Sequence, residues 1–168
     1  QMPGNLRVVF IGYGAINSRV GELLKKRGVP VEIVGVATRD DPAERARIPQ
    51  GVKFLASPAE LAALKPDLVV EAAGRAAIDA WAPAALAAAP CTIIASTSAE
   101  TFGRTSIEAQ AMGCPVIVSD IGAAPETIIP ALPGKQDYTG WIVPCRDPGA
   151  IAERVAEALE LPPQQRAA

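Results

Sequence analysis

The chain has no histidine among its 168 residues. That removes the commonest general acid or base near neutral pH and the commonest metal ligand. Chemistry in these residues would rest on carboxylates, lysine, tyrosine or thiols. Cysteine is scarce as well: only Cys91, Cys114 and Cys145 occur. Their number is odd, no CxxC spacing is present, and two lie in or beside apolar runs. This reads as buried reduced thiols, not as a disulfide framework or a metal centre. No metal is expected. There is no basic excess either, with 16 Lys and Arg against 18 Asp and Glu and a net charge of −2. Such a balance lacks the footprint of a nucleic-acid or anionic-membrane partner and leaves a small-molecule nucleotide as the partner to consider. No run of about 20 apolar residues and no leader pattern occurs, so a soluble, cytoplasmic protein is expected.

What the chain does have is apolar content, 49% against 20% charged. That is enough for a sizeable core, and the length suits a single domain over 1–168. Apolar runs of strand length alternate with helical periods. Strands are expected at 6–11, 31–37, 52–55, 67–71, 91–95, 115–118 and 140–143. Helices are expected at 15–27, from 58, at 75–89 with a break at Pro83, at 104–112 and at 148–161, with a helical turn at 125–129. Ser57, Pro58 and Glu60 form a capping box. Continuous apolar strands separated by helices imply an α/β fold: one doubly wound, Rossmann-like parallel sheet with helices on both faces, in the order 3-2-1-4-5-6.

The first candidate site follows the first strand. Gly12-Tyr13-Gly14-Ala15-Ile16-Asn17 closes a strand and opens a helix, the context a dinucleotide fingerprint requires. Gly12 allows the tight turn, Gly14 lets backbone approach a pyrophosphate, and the helix start offers N–H groups to phosphate. Asn17 stands where the pattern has its third glycine. The other reading is a glycine-rich turn that only joins strand to helix. After the second strand come Thr38, Arg39 and Asp40, where a ribose 2′-hydroxyl or 2′-phosphate would be met. Thr38 and Arg39 favour NADP or dual use, whereas Asp40 would serve NAD.

From residue 6 to 98 the chain resembles the cofactor half of L-aspartate dehydrogenases. The resemblance is carried by Val9-Phe10-Ile11-Gly12-Tyr13-Gly14-Ala15-Ile16, by Pro66-Asp67-Leu68-Val69-Val70-Glu71-Ala72-Ala73-Gly74 and by Thr92-Ile93-Ile94-Ala95-Ser96-Thr97-Ser98. It implies NAD or NADP as cofactor, with Ala73 and Gly74 near the nicotinamide. That family's second domain supplies a catalytic histidine, and nothing after Ser98 resembles that domain.

The second candidate site is a pair of glutamates, Glu100 and Glu108, with seven residues between them. Gly103, Arg104 and Thr105 lie between them at the expected helix start, where N–H groups can take an anion and carboxylates can accept sugar hydroxyls. On spacing alone, a loop carboxylate and a helix charge explain the pair. The run 100–126, with Ala109-Gln110-Ala111-Met112-Gly113-Cys114-Pro115-Val116-Ile117-Val118-Ser119-Asp120, is similar to the nucleotide-sugar domain of retaining GT-B glycosyltransferases. Gly140-Trp141-Ile142-Val143-Pro144 continues the match. The resemblance implies that Glu108 holds a nucleotide ribose and Glu100 addresses a donor sugar.

Two families thus meet near 97–100, with 5–98 of one kind and 99–161 of the other. The pairing reads as an engineered chimera, with a natural fusion or an unusual dehydrogenase paralogue as the alternatives. Packing at its junction is expected around Ile94, Phe102, Ile107 and Ile117. The functional expectation is a scaffold that binds NAD(P) at the first loop and is not an enzyme, with no catalytic residue. The alternatives are a residual or truncated NAD(P)-dependent L-aspartate dehydrogenase, a nucleotide-sugar-binding module, and a folded scaffold without a ligand.

Overall fold

The computed structural model describes residues 4–73, 75–89, 92–94 and 104–162. In chain order the elements are β1 (Leu6–Ile11), α1 (Ala15–Lys26), β2 (Val31–Ala37), α2 (Pro42–Arg45) and β3 (Lys53–Phe54). Then come α3 (Leu61–Leu64), β4 (Leu68–Glu71), α4 (Arg75–Ala88), β5 (Thr92–Ile94) and α5 (Arg104–Ala111). β6 (Val116–Ser119), β7 (Gly140–Val143) and α6 (Pro148–Glu160) complete the chain. Short 3-10 turns at Pro58–Glu60 and Ala124–Thr127 introduce α3 and follow β6.

The parallel α/β sheet is found, in the order β3-β2-β1-β4-β5. β6 runs beside β5. Among the described residues, however, its ladder is with β7, in a parallel two-stranded sheet. The expected 3-2-1-4-5 order is therefore present, and the sixth strand departs from it. A two-sided core covers the sheet because the side chains of a strand alternate between its faces. Val8 and Phe10 of β1, with Leu68 and Val70 of β4, pack on one face beside Val20 and Leu24 of α1 and Ile151, Ala152 and Val155 of α6. Val9, Ile11 and Val69 take the other face, against Leu61 of α3 and Ala85 of α4. Complete burial of a side chain such as Phe10 stabilises the fold by about 1.5–3 kcal/mol. β6 follows the same alternation. Its Ile117 joins the α1–α6 layer, whereas Val116 and Val118 pack with Ala109 of α5, Cys114 and Leu86 of α4.

Four expectations change. α4 runs on through Pro83, so no break is found there. The missing N–H forfeits one helical bond, but the flanking Ala82, Ala85 and Leu86 are buried and hold the helix against its neighbours. The expected helix from 58 divides into a 3-10 turn and the short α3, which ends at Lys65 with φ +45°. Its capping box forms, with Glu60 accepting from the N–H groups of Ala56 and Ser57 at 2.9 and 3.1 Å. The four-residue α2, absent from the sequence reading, is capped by Asp41. At the expected junction Ile117 is buried but Ile107 is 43% exposed, while the side chains of Ile94 and Phe102 lie outside the described residues. Among the described residues, no helix is long and apolar enough to cross a membrane.

Candidate active site at the strand ends

The sheet register builds the site. Ile11, the last residue of β1, pairs with Ala37 of β2 on one side and with Glu71 of β4 on the other. All three strands end in that row. A one-residue irregularity in the β1–β2 ladder between Val8 and Val9 brings Ala37 level with Ile11. The chain leaves β1 towards β2 and later returns to its other side as β4, so the connections diverge at this row. This is the switch point where open α/β sheets hold ligands. A cavity of about 550 Å³ opens above it, lined by Gly12, Tyr13, Gly14, Thr38, Arg39 and Glu44, with Ala72, Ala73, Ala76, Ala77 and Trp81 across from them.

The two glycines do different work. Gly12 has φ +78°, and a Cβ on it would lie 2.6 Å from the Cβ of Ala73. Both the turn and the close passage of the β4–α4 loop demand glycine there. Its N–H donates to the Ala37 carbonyl at 2.6 Å, tying the loop to the end of β2. Gly14 has φ −75° and caps α1 with no side-chain hydrogen bond. A Cβ on Gly14 would meet no atom within 4 Å. The first turn of α1 therefore presents N–H groups that no capping side chain covers.

Asn17 shows how the third glycine is dispensed with. It is 1% exposed, and its Nδ2 donates to the carbonyls of Gly12 at 2.6 Å and Ile11 at 3.2 Å. Helix and strand end are thus joined by hydrogen bonds instead of by bare backbone contact. Tyr13 is buried against Phe10, with ring centroids 5.6 Å apart. Burial, helped by the Glu22 charge, pushes its hydroxyl above the usual tyrosine range.

On the β2 side the expected trio separates. Thr38 and Arg39 line the cavity, but Asp40 does not. Asp40 turns to Arg45, whose Nε lies 2.8 Å from its carboxylate and whose guanidinium stacks 4.0 Å over Phe54. Glu44 takes the place beside Thr38 and Arg39. The Thr38 hydroxyl and the Arg39 guanidinium both donate to its carboxylate. Those two bonds, the Arg39 one first, hold the Glu44 carboxyl below the usual range. Asp41 sets this up by accepting from the N–H groups of Ala43 at 2.8 Å and Glu44 at 3.2 Å. Glu71 is also buried at the row's end, and its Oε1 accepts from the Ala73 N–H at 2.6 Å.

Of the first sequence-predicted set, the structure brings Gly12, Tyr13, Gly14, Thr38, Arg39 and Ala73 together. Ala15 and Ile16 open α1 without lining the cavity, and Gly74 lies outside the described residues. Glu44 and Trp81 went unread. Asp41-Pro42 followed by Glu44 is a helix-start signature that signals α2, but no local pattern says which cavity α2 faces. The second set is not assembled by the described residues. Glu100 and Gly103 lie outside them, as do the side chains of Arg104 and Thr105, while Glu108 is exposed on α5.

Over residues 1–168 the chain matches the family Glycosyl transferases group 1. The chain belongs to that family. It is also similar to the L-aspartate dehydrogenase of Brucella anthropi, with 43% identity over 115 residues, covering 66% of this chain and 43% of that protein. L-aspartate dehydrogenase 1 of Bordetella pertussis is 38% identical over 94 residues, covering 56% of this chain and 35% of that protein. The chain thus spans under half the length of these two relatives. Among solved structures, Anabaena HepE in complex with UDP and glucose aligns with 98% of this chain and 41% of its own, at TM-score 0.55 and 21% identity. Staphylococcus aureus homoserine dehydrogenase aligns with 68% of this chain and 32% of its own, at TM-score 0.55 and 18% identity. Both share the fold.

A Rossmann-like scaffold of the nucleotide-binding kind, related to both families, follows from these matches. The expectation that the chain is not an enzyme does not hold: the glycosyl transferases and the L-aspartate dehydrogenases it matches are enzymes. Neither the lack of histidine nor the lack of a recognisable second dehydrogenase domain excludes enzyme chemistry. The first removes one acid–base group only and leaves carboxylates such as Glu44 and Glu71 at the strand ends.

Proposed function

We propose that the chain supplies the NAD(P)-binding unit of an enzyme, with the dinucleotide pyrophosphate on the loop from Gly12 to Gly14. One observation carries this. Neither backbone nor packing asks for glycine at position 14, since its φ suits any residue and a Cβ would meet no atom within 4 Å. Close approach of a ligand to the start of α1 does ask for it. The adenosine ribose would then lie towards Thr38, Arg39 and Glu44, and the nicotinamide towards Ala73. The likeness to L-aspartate dehydrogenases supports the same cofactor. In this reading two lineages, 5–98 and 99–161, share one chain through an engineered join near 97–100.

Titration with NADH and NADPH, followed by nicotinamide fluorescence, tests the proposal. Saturable enhancement is expected in the wild type, together with at least about tenfold weaker binding in Gly14→Val. A wild-type protein that leaves both spectra unchanged at millimolar ligand refutes it.

A second reading has an observation of its own: the family match covers the entire chain, and Glu108 stands exposed on α5. In that reading Glu108 accepts a nucleotide ribose. Uridine diphosphate sugars would then slow amide exchange along α5, and Glu108→Ala would abolish the protection. Equal protection in the variant ends this reading.

A further inference from the structure

Glu44 is part of no nucleotide-binding motif, yet it lines the cavity beside Thr38 and Arg39. Its side chain is 15% exposed, and the Thr38 hydroxyl and the Arg39 guanidinium both donate to it. Resting on the NAD(P) reading above, we propose that Glu44 sets the cofactor choice, favouring a dinucleotide with a ribose 2′-hydroxyl over one with a 2′-phosphate. This reverses the preference that Thr38 and Arg39 suggest when read without their partner.

The argument is one of charge and acceptor sites. A 2′-phosphate brings about −1.5 to −2 charge. Arg39, the cation that would receive it, lines the cavity with its side chain largely exposed and is already paired with the half-buried Glu44. Arg45 is no substitute, being held by Asp40 at 2.8 Å and stacked on Phe54. Across 38–45, two arginines face three carboxylates, so the segment has no positive charge to spare. A phosphate would have to displace a carboxylate from Arg39 or lie beside it. A hydroxyl meets the opposite situation. An ionised carboxylate offers about four lone-pair sites, of which Thr38 and Arg39 occupy two. A ribose O–H can donate to one of the others, and Arg39 need not move. The bonds from Arg39 and Thr38 also keep Glu44 ionised at neutral pH. Rejection of the phosphate by an unpaired or repelled charge is the kind of discrimination that attractive contacts alone do not supply. Position is fixed by the Asp41 cap, which holds α2 so that Glu44 points back to the end of β2.

The test measures dissociation constants for NADH and NADPH on the wild type and on Glu44→Gln, which keeps the shape and removes the charge. The wild type is expected to bind NADH at least about tenfold tighter than NADPH, and Glu44→Gln to narrow that ratio about tenfold, mainly through tighter NADPH binding. Equal wild-type affinities, a preference for NADPH, or a ratio that Glu44→Gln leaves unmoved would each overturn the role of Glu44 while leaving the NAD(P) site intact. Binding of neither cofactor removes the NAD(P) reading and this inference with it. Should Glu44→Gln fail to fold, the wild-type ratio still decides.

Discussion

Alanine at Gly12 and alanine at Gly14 separate a glycine needed by the fold from one left for a ligand. At Gly12, an L-residue held at φ +78° costs about 1–2 kcal/mol. The new Cβ would also lie 2.6 Å from the Ala73 Cβ and 2.8 Å from its Cα. The second contact is with backbone, so relief requires the β4–α4 loop to shift, an overpacking cost of about 1–3 kcal/mol. Together these predict a loss of about 2–5 kcal/mol for Gly12→Ala. Gly14→Ala meets neither penalty and loses only the modest cap preference of glycine over alanine, under about 1 kcal/mol. Urea unfolding followed by circular dichroism reads both. At a slope of about 2 kcal/mol/M, a 3 kcal/mol loss lowers the midpoint by about 1.5 M. If Gly12→Ala unfolds within about 0.5 kcal/mol of the wild type, or Gly14→Ala loses as much as Gly12→Ala, the assignment of roles to the two glycines is wrong.

Asn17→Ala removes the two buried bonds to the carbonyls of Ile11 and Gly12, and a loss of about 1–3 kcal/mol in urea unfolding is expected. Ile151→Ala opens a hole where α6 meets the α1 face; a loss of about 2–5 kcal/mol in one cooperative transition is expected, and a biphasic curve would show α6 melting by itself. Glu44 has a folded-state carboxyl pulled below its unfolded value, so its contribution is complete above the ordinary glutamate range near about 4.3 and fades as pH falls through the lower folded value. The pH dependence of the urea midpoint should flatten in that acid window in Glu44→Gln. Burial pushes the Cys114 thiol up, so iodoacetamide at neutral pH should label the less buried Cys145 first, as mass spectrometry of the two peptides would show.

The legible parts of the fold were those set by local chemistry. β1, β2 and β7 appear within the bounds the apolar runs predict, because each run is flanked by glycine, proline or charge. The loop after β1 was legible for the same reason: its glycines follow a strand and open a helix. What escaped depends on partners far along the chain. α2 is too short to show a helical period. The β6 ladder is decided by the return of β7, more than twenty residues later, and no local pattern announces it. Pro83 leaves α4 unbroken, against the rule for an isolated helix, which omits the burial of Ala82, Ala85 and Leu86 around it. Asp40 and Glu44 exchange places for a related reason. Position after β2 favours Asp40, but Arg45 and the stack on Phe54 draw it aside, leaving Glu44 to reach the cavity.

Those long-range contacts also explain how residues far apart in the chain come to share a core. Val8, Phe10, Val20 and Leu24 lie in the first elements of the chain, and Ile117, Trp141, Ile151 and Val155 lie in the last, yet all belong to one cluster. Two requirements suffice for this. Each stretch must lay its strands in the same parallel sense, so that alternate side chains fall in the same two layers. The layers must also be filled by aliphatic side chains of about the right volume, which cores accept far more readily than a polar intrusion. The second holds here: β6 sends Ile117 to the cluster of Val8 and Phe10 and turns Val116 and Val118 away from it, as β1 turns Val9 away. The most extensive helix contact between the early and late parts of the chain is α1 against α6, with α4 against α5 a smaller one among the described residues. Small residues ease the first, Ala152 and Ala158 of α6 being buried there beside Val20 and Leu24 of α1. Enlarging Ala152, which is 0% exposed, to leucine would force the two helices apart. That would move the start of α1, and with it the loop from Gly12 to Gly14, without touching any residue of the cavity.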